Sequence, residues 1–169
     1  GQPVLVLGAG GAARAVILAL GRAGAEVTVA ARRPDAAAEA AALAPGGRAV
    51  PLGAVSAPSA GSGPGPSAGG VVDPARFTVV VNATPLGMSG GDPLPIDPGS
   101  LHAGQSVVDL VYHPADTPLL TAARVQGARS VNGFGMLLHQ AARSFTLWTG
   151  EEAPLDAMRS AAAAALAAR

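Results

Sequence analysis

Val4-Leu5-Val6-Leu7-Gly8-Ala9-Gly10-Gly11-Ala12-Ala13 decides the fold. Its first four residues are a short apolar run without alternation, the pattern of a strand buried on both faces of a parallel sheet. The run breaks into a glycine-rich turn, and a helix is expected over 14–20, rich in Ala with Leu and Ile. Strand, glycine turn and helix in that order are the setting in which a Gly-x-Gly-x-x-Gly/Ala pattern carries meaning. Gly8 would permit the tight turn, and Gly10 would let backbone amides approach a pyrophosphate. Ala13, in the third position, would keep the helix close to the strand. Ala9, Gly11 and Ala12 complete the expected cradle, at a helix N-terminus whose free N–H groups and positive dipole end favour anions.

The next strand speaks to the choice of dinucleotide. Ala25-Glu26-Val27-Thr28-Val29-Ala30-Ala31 runs into Arg32-Arg33. An NAD site carries an acidic residue at this strand end to accept from the ribose 2′-hydroxyl. Here two guanidinium groups stand instead, and Glu26 lies at the opposite end of the strand. A 2′-phosphate suits Arg, whose planar fork donates two parallel charge-assisted bonds. The expected cofactor is NADP, with solvated surface arginines as the plainer alternative.

Composition narrows the classes. The chain has 169 residues, enough for one sizeable domain or one domain of a longer protein. Eleven cationic side chains balance eleven acidic ones, so no basic field favours nucleic acid or an anionic membrane. All eleven cations are arginine, and the chain contains neither lysine nor cysteine. Disulfides, thiolate metal sites and a Cys nucleophile are therefore excluded. No apolar run approaches a membrane span and no signal peptide precedes the first strand, so a cytoplasmic protein is expected. The chain begins at Gly1-Gln2, directly at a strand, and reads as an excised piece.

Further along, a helix is expected over 34–44 and a third strand over 48–52. The stretch 53–70 is nearly all Gly, Ser, Pro and Ala and reads as a flexible insertion, followed by an irregular segment over 71–76. A strand over 77–81 ends at Asn82 and Thr84, whose polar groups suit either a bound ribose or the turn itself. A strand over 106–112 ends in Tyr112. A helix over 117–126, a short strand over 129–131 and helices over 136–148 and 154–168 complete the pattern. Of the three histidines, only His113 falls at a strand end facing the expected cleft, and none has metal-ligand spacing, so no metal is expected.

Nearly the whole chain outside 53–70 resembles the C-terminal, cofactor-binding half of shikimate dehydrogenases. The resemblance rests on the glycine turn, on Arg32 and on Asn82-Ala83-Thr84-Pro85-Leu86-Gly87-Met88. It continues through Asp109-Leu110-Val111-Tyr112 with Pro114, and Thr117-Pro118-Leu119-Leu120. Gly133-Phe134-Gly135-Met136-Leu137-Leu138-His139-Gln140 follows, with Ala141, Phe145 and Trp148-Thr149-Gly150. It implies that Arg32 grips the 2′-phosphate, in a segment where the family has Asn-Arg-Thr and this chain has Ala31-Arg32-Arg33. It implies that Asn82 and Thr84 lie near the central ribose, and that Gly133 and Met136 flank the nicotinamide. Tyr112 and Gln140 would contact shikimate. The implied reaction is reversible reduction of 3-dehydroshikimate to shikimate by NADPH.

The family's acid–base Lys and its Asp partner lie in an N-terminal substrate domain that this sequence lacks. Without any lysine, the chain supplies no catalytic residue and is expected to be inactive alone. A quinate or dual quinate/shikimate dehydrogenase is one alternative, and a free-standing nucleotide-binding module without catalysis another. The expected architecture over 1–169 is Rossmann-like α/β: a doubly wound, mainly parallel sheet of about six strands with helices on both faces. The last helices are expected to expose apolar surface such as Leu138 and Phe145, which leaves a homodimer open.

Overall fold

The computed structural model describes residues 1–56, 71–89 and 91–168. Six parallel strands form one sheet: β1 Pro3–Leu7, β2 Glu26–Ala31, β3 Arg48–Pro51, β4 Val79–Asn82, β5 Ser106–Asp109 and β6 Arg129–Val131. Their order is β3-β2-β1-β4-β5-β6. The chain thus winds outward from β1 to one edge, returns to pair β4 with β1, and winds to the other edge. All carboxyl ends lie on one side, and the point of reversal falls between β1 and β4.

The apolar runs serve both faces. Val4 and Val6 of β1, with Val27, Val29 and Val81, meet Ala13 and Ile17 of helix α1 (Gly11–Arg22) and Ala40 and Ala41 of α2 (Pro34–Ala41). Leu5 and Leu7, with Val80 and Val107, meet Leu119, Leu120 and Ala123 of α3 (Pro118–Val125). Successive strand residues point to opposite faces, so burial of both parities requires helices above and below. Thr117 caps α3, accepting from the Leu120 N–H at 3.3 Å, and Gly127 closes the turn after it at φ +76°.

Several boundaries differ from expectation for local reasons. Helix α1 starts three residues early, at Gly11, because the glycine turn is tight enough to enter the helix directly. Strand β5 stops at Asp109 and not at Tyr112. The Val111 N–H bonds the Asp109 carboxylate at 3.1 Å, and its carbonyl accepts from Gly133 at 3.0 Å, so both leave the ladder. The insertion also starts later than expected. Leu52–Ala54 is a single 3-10 turn, and Val55 bridges Val72. Residues 53–56 therefore belong to the framework, while 57–70 lie outside the described residues.

Helices α4 (Phe134–Thr149) and α5 (Leu155–Ala167) pack against each other at the end of the chain. Leu138 is not exposed, contrary to expectation: it is buried, and Phe145 is half-buried. The exposed residues are Leu147 at 70% and Trp148 at 86%. Leu147 lies nine residues after Leu138, about half a turn around the helix, so the two cannot share a face.

Candidate functional site

The glycine turn occupies the point of reversal. Gly8 has φ +108°, and a Cβ there would lie 2.7 Å from the Ala83 carbonyl oxygen. Its N–H donates to Ala30 of β2 at 2.8 Å, and Ala83 donates to Leu7 of β1 at 2.8 Å. The turn is thus threaded between the ends of β2 and β4, where only glycine fits. The first bond of α1 runs from Arg14 N to Gly10 O at 2.9 Å, and no side chain caps the helix. The N–H groups of Gly11, Ala12 and Ala13 therefore have no helical acceptor. A Cβ at Gly10 or Gly11 would meet nothing within 4 Å. With no acidic residue in this first turn, the donors face open space and suit an anion.

Beyond β2, Arg32 and Arg33 are exposed, and neither pairs with an acidic side chain among the described residues. Arg33 is the N-cap of α2, and no side chain bonds to the first-turn amides behind it. A cleft of about 660 Å³ joins these features. Gly8, Ala9 and Gly10 form its floor on one side, Arg32 and Arg33 another wall, and Thr84 a third. Glu26 lies at the far end of β2, beside the chain's amino terminus at 3.5 Å.

Asn82 lies at the same sheet edge, but its polar atoms are all engaged. Its amide nitrogen donates to the Leu86 carbonyl at 3.1 Å and to Asp109 Oδ1 at 2.9 Å. Its amide oxygen accepts from Thr84 N at 3.0 Å and Thr84 Oγ1 at 2.7 Å. The residue is fully buried. Of the two roles its sequence position allowed, this arrangement is that of the loop organiser. Thr84 Oγ1 is doubly engaged as well, since it also accepts from Leu86 N at 3.2 Å.

Asp109 completes this network and was not singled out as a site residue from the sequence. Its carboxylate accepts from Asn82, from Val111 N and, at 2.7 Å, from Thr117 Oγ1. It ties the loop after β4 to the segment after β5 and to the start of α3. An acid inside the apolar run 107–111 was the available signal, because a buried carboxylate demands partners.

Tyr112, Gly133, Met136 and Gln140 lie apart from the cleft lining, beyond β5 and β6. A Cβ on Gly133 would come within 3 Å of the Leu110 backbone, and its N–H donates to Val111 O at 3.0 Å. This close approach fixes the start of α4 beside the Tyr112 segment. The Gly133 carbonyl already accepts from Leu137 at 3.0 Å, leaving one lone pair. Met136 and Gln140 are four residues apart on α4 and so share a face. Tyr112 and Met136 are half-buried, and Gln140 is exposed.

His102 bonds Ala75 O at 3.1 Å and Gly104 N at 3.1 Å, whereas His113 and His139 are exposed. Among the described residues, no three His, Cys, Asp or Glu side chains gather as a metal site, and no helix is long and apolar enough to cross a membrane.

The strand order, the glycine turn at the reversal and the open α1 N-terminus define a Rossmann-like α/β domain of the dinucleotide-binding class. The family profile described as "Shikimate 5'-dehydrogenase C-terminal domain" matches residues 133–163. Shikimate dehydrogenase (NADP(+)) of Methanocella arvoryzae is 42% identical over 164 residues, covering 96% of this chain and 56% of the relative. A crystal structure of shikimate 5-dehydrogenase from Thermus thermophilus, in complex with NADP(H) and shikimate, superposes with TM-score 0.76 at 37% identity. That match covers 98% of this chain and 56% of the other. Quinate dehydrogenase from Corynebacterium glutamicum, in complex with NAD, gives TM-score 0.77 at 31% identity over 94% and 54%. The chain belongs to the shikimate dehydrogenase family, as a counterpart of its C-terminal domain. It spans little more than half the length of the relatives it matches.

Proposed function

We propose that this chain is the NADP-binding domain of a shikimate dehydrogenase, which interconverts 3-dehydroshikimate and shikimate. The observation that carries the cofactor choice is the pair Arg32 and Arg33, without acidic partners among the described residues, on the same cleft as the glycine turn. The donor set fits the group: the α1 amides suit a pyrophosphate, and two guanidinium groups suit a 2′-phosphate. An NAD-type site would need an acid where these arginines stand. When bound, NADPH supplies the hydride.

The chain's own residues hold and orient. Gly8 to Ala12 cradle the pyrophosphate, Arg32 and Arg33 the 2′-phosphate, and Thr84 borders the ribose on a loop fixed by Asn82. Gly133, through its remaining carbonyl lone pair, and Met136 border the nicotinamide. Tyr112 and Gln140 reach the substrate, shared with the substrate domain that forms the rest of the family's enzymes. Because no lysine is present, the proton at the substrate oxygen is handled by that other half. A cytoplasmic location and self-association belong to the same proposal, and sedimentation of the chain checks the second.

Calorimetric titration tests the cofactor reading. NADP⁺ should bind at least about tenfold more tightly than NAD⁺, since a hydrogen bond to a charged group contributes roughly 1.5–3 kcal/mol. Equal affinities would reduce the arginine pair to solvated surface. Incubation with shikimate and NADP⁺, followed by NADPH absorbance, should give no turnover with this chain and turnover once the substrate domain is restored. Turnover by the chain alone would remove the argument from the absent lysine.

A further inference from the structure

On the NADP reading above, we propose that the cleft selects its nucleotide at the phosphates and does not read the purine edge. It should accept a 2′-phosphorylated dinucleotide carrying hypoxanthine as readily as one carrying adenine. The available side-chain and helix-end groups are all donors suited to anions: the amides of Gly11 to Ala13, and Arg32 and Arg33. The walls between and beyond them are of another kind. On the β2 and β3 side stand Ala36 and Leu52, and on the β4 side Ala83, Thr84, Pro85 and Leu86. Thr84 alone among these six has a polar side chain. Its hydroxyl is committed, donating to Asn82 Oδ1 at 2.7 Å and accepting from Leu86 N at 3.2 Å.

The backbone of the β4 wall is equally closed. The Ala83 N–H donates to Leu7 O, and that of Thr84 to Asn82 Oδ1. Leu86 donates to Thr84 and its carbonyl accepts from Asn82, while Pro85 has no N–H. A base against this wall finds apolar contact and no free donor for its N1. The arginines can stack on a purine face, which every purine presents. Adenine donates at its amino group and accepts at N1, whereas hypoxanthine accepts at O6 and donates at N1. A site that hydrogen-bonds this edge would reject the exchange strongly, and an apolar one cannot.

The test is calorimetric titration of the 169-residue chain with NADP⁺, its hypoxanthine analogue and NAD⁺. NADP⁺ and the analogue should agree within about threefold, as expected of an apolar base site. NAD⁺ should be at least about tenfold weaker, through loss of charge-assisted bonds. If NADP⁺ outbinds NAD⁺ but the analogue falls more than about threefold below NADP⁺, the purine edge is read and the inference fails while the cofactor reading stands. If NADP⁺ binds no better than NAD⁺, or not at all, the cofactor reading falls and the inference with it.

Discussion

The two halves of the sheet treat their polar groups in opposite ways. On the side of β1, β2 and β3, the first turn of α1 and the Arg32–Arg33 pair keep donors without acceptors among the described residues, and they border an open cleft. On the side of β4 and β5, Asn82, Thr84, Asp109 and Thr117 answer one another inside the protein. Both sets lie at strand carboxyl ends, where a doubly wound sheet gathers its function. One is left open for a ligand, and the other holds the loops that frame it. Position alone therefore does not make a polar residue a ligand; uncommitted valence does.

The largest expected effect tests the closed half. Asp109→Ala removes the acceptor of Asn82 Nδ2, Val111 N and Thr117 Oγ1 together in a fully buried site. It should lower the unfolding free energy by about 3 kcal/mol or more, read by urea denaturation. A loss under about 1 kcal/mol would break the comparison, because the network would then be dispensable. Next comes the residue where the halves meet. Gly8→Ala forces a side chain into φ +108° against the Ala83 carbonyl and should cost about 1–3 kcal/mol, with NADP⁺ binding weakened alongside.

The open half should respond in binding and not in folding. The double variant Arg32→Ala/Arg33→Ala should leave stability within about 0.5 kcal/mol. It should also weaken NADP⁺ at least about tenfold, to the level of NAD⁺. A variant that unfolds more easily but binds NADP⁺ as before would reverse the assignment of the two halves. The smallest effect belongs to the exposed Arg14–Glu39 pair at 3.4 Å, between α1 and α2. Glu39→Ala should shift stability by less than about 0.5 kcal/mol, and thermal melting in low and high salt checks it.

How much of this could be read from the chain divides along the same line. The parallel sheet was readable because Val4-Leu5-Val6-Leu7 is apolar at both parities, which only two-sided burial explains. The glycine turn was readable because its role is local: turn, helix end and phosphate contact lie within a few consecutive residues. Asn82 was not, because its partner Asp109 is 27 residues away and their meeting depends on β4 pairing with β5. The end of β5 escaped for a similar reason, since Gly133 draws Val111 out of the strand from a later segment. Leu138 was misread because an apolar residue on a terminal helix does not say which side of the helix packs.

The bridge between Val55 and Val72 has a practical consequence. Ser56 N donates to Val72 O at 3.1 Å, and Val72 N to Ala54 O at 2.7 Å, so the chain is clasped on both sides of 57–70. A clasp of this kind makes an insertion port. Splicing a reporter domain between its two ends leaves the sheet's pairing intact, and each doubling of the spliced length costs only about 0.6 kcal/mol in closure entropy. A fluorescent or affinity module placed there would give a tagged nucleotide sensor with both chain termini still free.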